Sequence, residues 1–496
     1  MSFCIKRVVT YSQHSFSHRS SPSPISGIPL DFFDRDLSDE RNCFTIILGR
    51  NAIGKSQLLS DIAEAFCIES GEFTSRRSSS LEISITTFKD KRLKDFYIGS
   101  NGDKLDQSLE ARDMPSRVVA SATTPFDKFR LSKDVIRERG IYREDEDWQR
   151  KQYYFYSGLR DSNGRTNFRA AILRTIRGIF LETSRSSDRL RKVRHVFDFL
   201  GLHPTVQVSY SMGGMSWANH VIEQILSKKS LDDVFVNEKN NLNYRRLVNF
   251  IKYDADNEAR LRNAVLNISE HFNLPTIDKF EIEMGHSGDG AEFLNGLFLL
   301  KDLRLLTFRE VSLRRVNDGN SMDILDASSG EISIISGILG IAAGIQDNAL
   351  VLIDEPEISL HPEWQDRYLK LLRDTFSAFR GCHFVIATHS PIILSDANSE
   401  DTKILNLSHI LDGSVSMATS IAKSYDEIVA TQFGVVDDDN LYIKQEVVKA
   451  VNAIARGEVD TLDFKKRIKL LLSFRAGLGV NSKVLKIIND VVEALK

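Results

Sequence analysis

The chain has 496 residues, a formal net charge of -3 and 27% charged residues. This near-neutral balance argues against a globally basic nucleic-acid binder, and the longest apolar run, residues 332–345, is too short to span a membrane. The first residues contain no apolar signal core, and the 4 cysteines are scattered without metal-ligand spacing. We therefore expect a cytoplasmic protein with reduced thiols and no membrane partner.

The first informative segment in chain order is residues 49–56, with the sequence GRNAIGKS. It follows the apolar run 43–48 and precedes the apolar-periodic run 57–66, which together predict a strand, a glycine-rich loop and a helix. Gly49 and Gly54 allow the backbone to curl so that successive N–H groups point at one anion. The helix that begins after this loop adds its positive N-terminal end.

Two side chains of this loop predict specific chemistry. Lys55 is expected to reach the β- and γ-phosphates of a nucleotide, and the Ser56 hydroxyl is expected to ligate Mg²⁺. The alternative is an ordinary glycine-rich turn. The segment thus predicts an ATP site with Mg²⁺, to which we assign Asn51, Gly54, Lys55, Ser56 and Gln57.

Between residues 131 and 290 the pattern changes to amphipathic helices with charges of both signs. The sequence lacks sustained heptads, so we expect a compact helical insertion. Two basic clusters, residues 165–177 and 184–195, lie on predicted helices. They indicate either solvated helix faces or a sequence-independent contact with the phosphates of DNA.

A second anion site is predicted at residues 327–331, before the apolar helix predicted over 332–345. Ser329 and Gly330 lie at the start of this helix, where backbone N–H groups favour an anion. Glu331 has two interpretations, as part of this site or as a first-turn acid favoured by the helix dipole.

Two buried strands follow, and each ends in candidate catalytic residues. Residues 349–356 are an apolar run that ends in Asp354 and Glu355. Asp354 is expected to hold Mg²⁺, and Glu355 is expected to polarise the water that attacks the γ-phosphate. The alternative is two acids that cap a strand before a proline turn. Residues 384–390 form the next strand, where a neutral His389 can sense the γ-phosphate.

These motifs, in this order, resemble the head of an ABC-type ATPase. Residues 49–56, 328–331, 354–356, 359–362 and 388–390 resemble its Walker A, signature, Walker B, D-loop and H-loop motifs. The resemblance implies an α/β P-loop head, a mixed sheet with flanking helices, that carries a helical insertion and a helical C-terminal tail. It also implies that two heads enclose ATP, with Ser329 and Gly330 completing the partner's site, so we expect a homodimer or higher oligomer.

The sequence of residues 353–365 resembles that of the soluble members of the ABC-type superfamily. These members include DNA-repair and chromosome-organising heads and anti-phage ATPases of the overcoming-lysogenization-defect type. We predict four segments. They are a first ATPase lobe at 1–130, the helical insertion at 131–290, a second lobe at 291–425 and a helical tail at 426–496. Within the second lobe, a hairpin is predicted over 403–419.

The chain departs from the resemblance in its first lobe. ABC-type heads carry a glutamine at the end of a strand, where it touches Mg²⁺ and the attacking water, and the equivalent residues 122–129 contain no glutamine. Either Asp127 or Thr124 takes its place, or ATP hydrolysis is slow. The alternative is a structural turn in which Pro125 ends the strand.

The tail predicts no nuclease site, because its acidic cluster, residues 437–439, precedes a helical run and is typical of a helix-start cap. The architecture resembles the ATPase subunit of the Septu anti-phage system and the ATPases encoded beside retrons. That resemblance implies a separate nuclease of the His-Asn-His type as partner, with a retron reverse transcriptase and its msDNA as further candidates. The alternative function is a DNA repair or maintenance ATPase that acts directly on DNA.

Overall fold

The computed structural model describes residues 2–12, 24–33, 41–73, 79–89, 92–98, 114–131, 153–161, 164–183, 187–212, 216–229, 242–271, 278–283, 290–397, 400–411, 424–475, 477–479 and 481–493. The strands in these residues are Ser2–Ser12 (β1), Pro29–Asp31 (β2), Cys43–Leu48 (β3), Ser79–Lys89 (β4), Arg92–Ile98 (β5), Val118–Ala122 (β6), Tyr154–Gly158 (β7), Leu202–Met212 (β8), Asp278–Glu283 (β9), Leu306–Arg315 (β10), Ser321–Asp323 (β11), Leu350–Asp354 (β12), His383–Thr388 (β13) and Thr402–Asn406 (β14).

The central sheet has six strands in the order β14-β3-β13-β12-β6-β7, and each neighbouring pair is parallel. Every residue of β3, β6, β12 and β13 is buried. Their continuous apolar runs fit strands covered on both faces. Because the strands are parallel and in register, their carboxyl ends, where the candidate site residues follow, lie at one edge of the sheet.

Two antiparallel sheets accompany the central one, in the orders β2-β1-β4-β5 and β11-β10-β8-β9. The predicted α/β fold is therefore confirmed, with its parallel and antiparallel strands in separate sheets. The aromatic run that begins at Tyr153 contributes β7, the edge strand of the central sheet, in which Tyr154 and Tyr156 are buried.

The α-helices among the described residues are Lys55–Glu69 (α1), Phe168–Thr183 (α2), Ser187–Leu200 (α3), Ser216–Leu226 (α4), Leu242–Tyr253 (α5), Asn257–His271 (α6), Gly290–Asp302 (α7), Ser329–Ile334 (α8), Gly340–Gly344 (α9), Pro362–Asp366 (α10), Tyr368–Thr375 (α11), Leu407–Leu411 (α12), Tyr425–Gln432 (α13), Leu441–Ala455 (α14), Leu462–Phe474 (α15) and Lys483–Glu493 (α16). Short 3₁₀ turns cover Ile324–Asp326 and Ile392–Asp396. Among the described residues, no helix combines the length and apolarity that crossing a membrane requires.

Apolar clusters cover both faces of the central sheet. On one face, Leu58, Ile62 and Phe66 of α1 pack with Val118 and Leu352. On the other face, alternate residues of the same strands pack with helices that include α2, α3 and α11. The alternation of side chains along each strand distributes its apolar residues between the two clusters.

The segment between the Ser-Gly motif and β12 is a broken helix rather than the uninterrupted helix predicted over 332–345. A π-helical turn, Ile335–Leu339, separates α8 from α9. The helix packs very closely against β7: a Cβ added to Gly340 would clash with the Ser157 hydroxyl, and one added to Gly344 would clash with the Phe155 ring. These glycines permit the close approach.

The hairpin predicted over 403–419 is wrong in its first half. Residues 402–406 form β14, which pairs in parallel with β3 at the edge of the sheet, and residues 407–411 form α12. Because a helix directly follows β14, the chain does not turn back onto this strand as a hairpin would. Residues 412–419, with the expected turn, lie outside the described residues.

The tail helices α14, α15 and α16 share an apolar cluster, whereas Ile428 of α13 packs into the main core. The prediction that the acidic cluster caps the helix after it is wrong: α14 is capped by Asn440, which accepts from the Ile443 N–H at 3.0 Å. The Asp438 carboxylate instead accepts hydrogen bonds from the Ser482 hydroxyl and the Lys483 N–H at the start of α16.

The close contact between α9 and β7 generates a stability prediction. We expect Gly340→Ala to lower the free energy of unfolding by about 1–3 kcal/mol, the usual cost of overpacking a core, because its Cβ has no space beside Ser157. Gly337→Ala is the matched control, since its Cβ would meet only the Thr123 methyl group at 3.4 Å, an ordinary contact. Chemical denaturation measures both. Equal stability of the two variants would contradict the packing.

Candidate nucleotide-binding site

The loop between β3 and α1 has the backbone conformation of an anion cradle. Ala52 and Gly54 have left-handed φ angles of 62° and 102°. Gly49 approaches the Ile53 side chain so closely that an added Cβ would lie 2.8 Å from its Cγ2. Helix α1 begins at Lys55 without a side-chain cap on its first turn. Its first N–H groups are therefore oriented to receive the phosphates of a ligand.

Lys55 is only 4% exposed and lies over its own loop. Its ammonium group donates to the carbonyls of Gly49 at 2.9 Å and Arg50 at 3.3 Å, and to His389 Nδ1 at 3.0 Å. Burial lowers the pKa of Lys55, and the carboxylates of Glu355 and others nearby oppose that effect. Phosphate oxygens would be stronger acceptors for this cation than two neutral carbonyls.

The two expected Mg²⁺ ligands lie side by side. The Ser56 hydroxyl, in the first turn of α1, donates to Oδ1 of Asp354, the last residue of β12, at 3.0 Å. Asp354 is 2% exposed, and burial raises its pKa to about 7, which the Ser56 hydrogen bond opposes. A hydroxyl and a carboxylate oxygen are the donors that Mg²⁺ prefers. Ser56 and Asp354 therefore fit a divalent cation, which would supply positive charge to the phosphates and to the buried carboxylate.

His389 connects the lysine to the candidate base. Its Nδ1 accepts from Lys55, so the ring proton resides on Nε2 and is donated to Glu355 Oε1 at 2.5 Å. This hydrogen bond is the main reason that the pKa of Glu355 is lowered, against the opposing effect of burial. The ionised form of Glu355, which a general base requires, is therefore favoured, and the His389 imidazole orients it.

The Ser-Gly motif lies at the start of α8. Ser328 is the N-cap and forms a capping box with Glu331, which also pairs with Arg315 Nη2 at 3.3 Å. Glu331 is thus engaged in helix capping, the second of its two interpretations. Ser329 is exposed, and a Cβ added to Gly330 would lie 3.0 Å from the Ser359 carbonyl. The described hydrogen bonds and ion pairs do not connect this motif to the phosphate loop of the same chain.

Two further predicted residues flank the phosphate loop. Asn51 is exposed at the tip of the loop. Gln57 is half-buried in the first turn of α1, where its amide donates to Asp61 Oδ1 at 2.8 Å. Both are near a nucleotide placed in the cradle, and their part in binding stays a prediction.

Residues 122–129, which correspond to the glutamine-containing segment of ABC-type heads, form a structural turn. Asp127 is buried, and its carboxylate accepts from the Arg160 guanidinium at 2.5 Å, from Tyr156 and from the Phe129 N–H. Burial raises the pKa of Asp127, and Arg160 opposes this rise. The Thr124 hydroxyl accepts from the Phe126 N–H. These hydrogen bonds and the ion pair favour the structural interpretation of the segment over a role for Asp127 in the reaction.

Three residues that the sequence analysis did not assign also contact the site. The Thr123 hydroxyl donates to the Glu355 carbonyl at 3.0 Å. Glu357 Oε1 accepts from the His389 N–H at 2.6 Å, and Gln365 Oε1 accepts from the Ser390 hydroxyl at 2.6 Å. The sequence shows Glu357 as the next acid after the Asp-Glu pair. Its hydrogen bond to a backbone N–H far away in sequence has no sequence signature.

The basic clusters of the insertion are described only in part. Arg174 donates to the carbonyls of Gly158 and Arg160, and Arg169 lies 3.5 Å from Asp323. Arg174 is therefore tied to the backbone of the fold, whereas the Arg169 side chain remains 47% exposed in a surface ion pair. Residues 184–186 and the side chains of Arg189, Arg191 and Lys192 lie outside the described part of the chain.

A second polar cluster, at the opposite end of the central sheet, joins Cys4, Cys43 and His383. The two sulfur atoms are 3.7 Å apart. Both ring nitrogens of His383 are engaged: Nδ1 accepts from the Ile5 N–H at 3.1 Å, and Nε2 lies 2.9 Å from the Thr45 hydroxyl. Burial raises the pKa of Cys43 well above its ordinary value, which disfavours the thiolate. The cluster is therefore packed as a structural element rather than as a metal site.

The family described as "AAA domain, putative AbiEii toxin, Type IV TA system" matches residues 44–395. The chain belongs to this family. The matched residues contain the phosphate loop, the Asp-Glu pair and His389, so membership and site geometry both indicate an AAA-family ATPase.

Short segments of the chain resemble ATPases encoded with retrons. The similarity to "Retron Vc95 probable ATPase" of Vibrio cholerae serotype O1 biovar El Tor is 31% identity over 102 residues, 18% of this chain and 19% of that protein. For "Retron Ec83 probable ATPase" of Escherichia coli it is 26% over 196 residues, 37% of this chain and 33% of that protein. The matched segments thus span no more than a third of these relatives.

Among solved structures, the chain is similar to Smc head domains. One from Pyrococcus furiosus, with an extended coiled coil and bound to the C-terminal domain of ScpA, matches at 11% identity and a TM-score of 0.27, covering 79% of this chain and 91% of that one. One from Pyrococcus yayanosii, with a coiled coil and joint, matches at 10% identity and a TM-score of 0.28, covering 81% and 94%. At these scores the likeness supports no argument about function.

The contacts of Lys55 lead to a binding prediction. We expect Lys55→Ala to weaken ATP binding by about a hundredfold, since a charge-assisted hydrogen bond to phosphate contributes roughly 1.5–3 kcal/mol. Lys128→Ala is the control, because Lys128 is an exposed cation beside α1 whose backbone carbonyl, and not its side chain, accepts from Ser60. Isothermal titration with ATP measures both. An unchanged affinity in Lys55→Ala would place the phosphate loop elsewhere.

Proposed function

We propose that this protein is an ABC-type ATPase head that binds ATP with Mg²⁺, assembles with itself around the nucleotide and controls a separate effector nuclease in anti-phage defence. The observation that carries the proposal is the continuous contact from Lys55 through His389 to Glu355, beside the Ser56–Asp354 pair. This arrangement places a cation for the phosphates, an oriented base and two oxygen ligands at one edge of the sheet.

The proposed reaction transfers the γ-phosphoryl group of ATP to water. Glu355 accepts a proton from the water as its oxygen bonds to phosphorus, and the bond from the γ-phosphorus to the bridging oxygen breaks to release ADP. Lys55 neutralises charge on the phosphates. The His389 Nε2–H, which orients Glu355 in the structure, is proposed to donate to the γ-phosphate once ATP is bound. Asp127 is committed to Arg160, so the position of the usual glutamine has no substitute there, and slow hydrolysis follows.

The sites are proposed to be shared between two copies of the chain. Ser329 is exposed at the start of α8, and the capping box holds this helix start independently of any ligand. Its N–H groups can therefore meet the γ-phosphate bound by a second subunit. We propose the same four segments as above, with the first lobe carrying the phosphate loop and the second lobe carrying the signature, the Asp-Glu pair and His389. The insertion also contributes β7 to the central sheet.

The partner is proposed to be a separate nuclease of the His-Asn-His type, as in the Septu system, which the architecture resembles. The names of the retron ATPases to which the chain is similar support a role beside a retron reverse transcriptase and its msDNA. The alternative, an ATPase that acts directly on DNA, has weaker support because Arg174 of the first basic cluster is held by internal contacts.

The oriented base generates the hydrolysis prediction. We expect Glu355→Gln to bind ATP while its turnover falls by about a hundredfold or more, since a positioned base contributes at least that much. Glu363→Gln is the matched control, an exposed glutamate on α10 whose partner is Arg367. Phosphate release under saturating ATP and Mg²⁺ measures both. Equal turnover in Glu355→Gln and the wild type would remove Glu355 from the reaction.

The shared site generates a second prediction. Ser329→Arg places a bulky cation where the partner's γ-phosphate docks, and the exposed position accommodates it within its own subunit. We expect normal ATP binding but loss of ATP-dependent association in analytical ultracentrifugation, whereas Ser329→Ala associates. A mixture of Ser329→Arg and Lys55→Ala chains retains one intact site and should recover part of the turnover. Wild-type association of Ser329→Arg would contradict the shared site.

A further inference from the structure

The turn that follows the Asp-Glu pair has an unusual backbone. Glu355 and Ser359 have left-handed φ angles of 48° and 68°, although neither is glycine. Non-glycine residues keep this conformation only where surrounding contacts hold them, and they cluster at functional sites. The contacts that hold this turn therefore bear on the orientation of the base.

The left-handed conformation of Glu355 interrupts the ladder between β12 and β13. The Glu355 N–H still donates to the Ala387 carbonyl at 2.9 Å. In a regular parallel ladder, the next bond would run from the His389 N–H to the Glu355 carbonyl. That carbonyl instead accepts from the Thr123 hydroxyl, and the His389 N–H donates to Glu357 Oε1 at 2.6 Å. The Glu357 carboxylate thus replaces the missing ladder acceptor.

The hydrogen bond to Glu357 holds the backbone of His389, the residue whose side chain contacts both Lys55 and Glu355. The imidazole of His389 can lie 3.0 Å from Lys55 Nζ and 2.5 Å from Glu355 Oε1 only while its backbone holds that position. A second tie runs in parallel, in which the Ser390 hydroxyl donates to Gln365. Glu357 makes the bond at His389 itself, and the bond is charge-assisted, which makes it stronger than a neutral one.

We infer that Glu357 is a positioning residue for nucleotide turnover, which acts by holding the His389 backbone so that the imidazole bridges Lys55 and Glu355. The inference rests on the proposed function, in which His389 contacts the γ-phosphate of ATP. It adds a coupling: the turn after the catalytic carboxylate and the histidine that reads the γ-phosphate are joined through one side chain and move together.

The test compares three variants of Glu357 in the full chain. Glu357→Gln keeps a carbonyl oxygen at the acceptor position, Glu357→Met keeps the length without an acceptor, and Glu357→Asp keeps the charge but is too short to reach. We expect Gln to retain turnover within about threefold, and Met and Asp to lose about tenfold or more, because small displacements of catalytic groups cost up to a hundredfold. Thermal melting identifies a variant that fails to fold, and the other then carries the comparison.

A double variant separates positioning from general stability. If Glu357 acts through His389, then Glu357→Met lowers turnover no further in a His389→Ala background than His389→Ala does alone. A full additional loss in the double variant overturns the inference. So does wild-type turnover in both Met and Asp, or a loss in Gln equal to that in Met.

A readout without turnover distinguishes failure of this inference from failure of the proposed hydrolysis. The ratio of the dissociation constants for ADP and ATP reports the contact with the γ-phosphate. We expect this ratio to fall in Glu357→Met and to stay at the wild-type value in Glu357→Gln. If wild-type turnover equals that of Glu355→Gln, the proposed hydrolysis fails, and the ADP-to-ATP ratio still decides the role of Glu357: an unchanged ratio in Met overturns it.

Discussion

The parallel register of the central sheet is the constraint on which the site depends. Leu48 pairs with Thr388, and Asp354 pairs with both Ala387 and Ala122. The chain reaches these strand ends at positions more than three hundred residues apart in sequence, and the register places them at one edge. A slip of one residue would turn each side chain to the opposite face of the sheet. The Lys55–His389 and Ser56–Asp354 hydrogen bonds would then be lost together.

Electrostatics at that edge balance one buried cation against several carboxylates. Burial lowers the pKa of Lys55 and raises those of Asp354 and Glu357. Each charge is thus disfavoured by its own burial. The nearby carboxylates favour the charge of Lys55, whereas at Asp354 they add to the effect of burial and the Ser56 hydrogen bond opposes it. Glu355 differs, because the hydrogen bond from His389 lowers its pKa. The site therefore contains carboxylates in two environments: at Asp354 and Glu357 the charge is disfavoured, and at Glu355 it is favoured.

The structure also links this edge to the tail. The 3₁₀ turn Ile392–Asp396 begins three residues after His389, and Ser395 of this turn donates to Asp366 of α10 at 2.5 Å. Ile428 of α13 packs in the same core cluster as Ile393 and Leu394. The first tail helix therefore packs against the turn that follows His389.

The sequence by itself determined the elements whose signal is local. The phosphate loop, the buried strands and the acids at the end of β12 follow from glycine spacing and apolar runs over a few residues. It predicted that residues 437–439 cap the helix that follows them, whereas the tertiary structure places Asp438 at the start of α16, with a partner, Ser482, 44 residues away.

The tertiary structure alone decided which groups meet. Glu357 contacts the backbone of His389 because β12 and β13 are neighbours and Glu355 leaves the ladder, neither of which has a sequence signature. Asp127 forms an ion pair with Arg160, which follows β7, because the two residues are neighbours only in the folded chain. The π-helical turn before α9 coincides with close packing on β7, a contact between segments far apart in sequence. Composition and periodicity report on a residue's own element, whereas these outcomes depend on which element lies beside it.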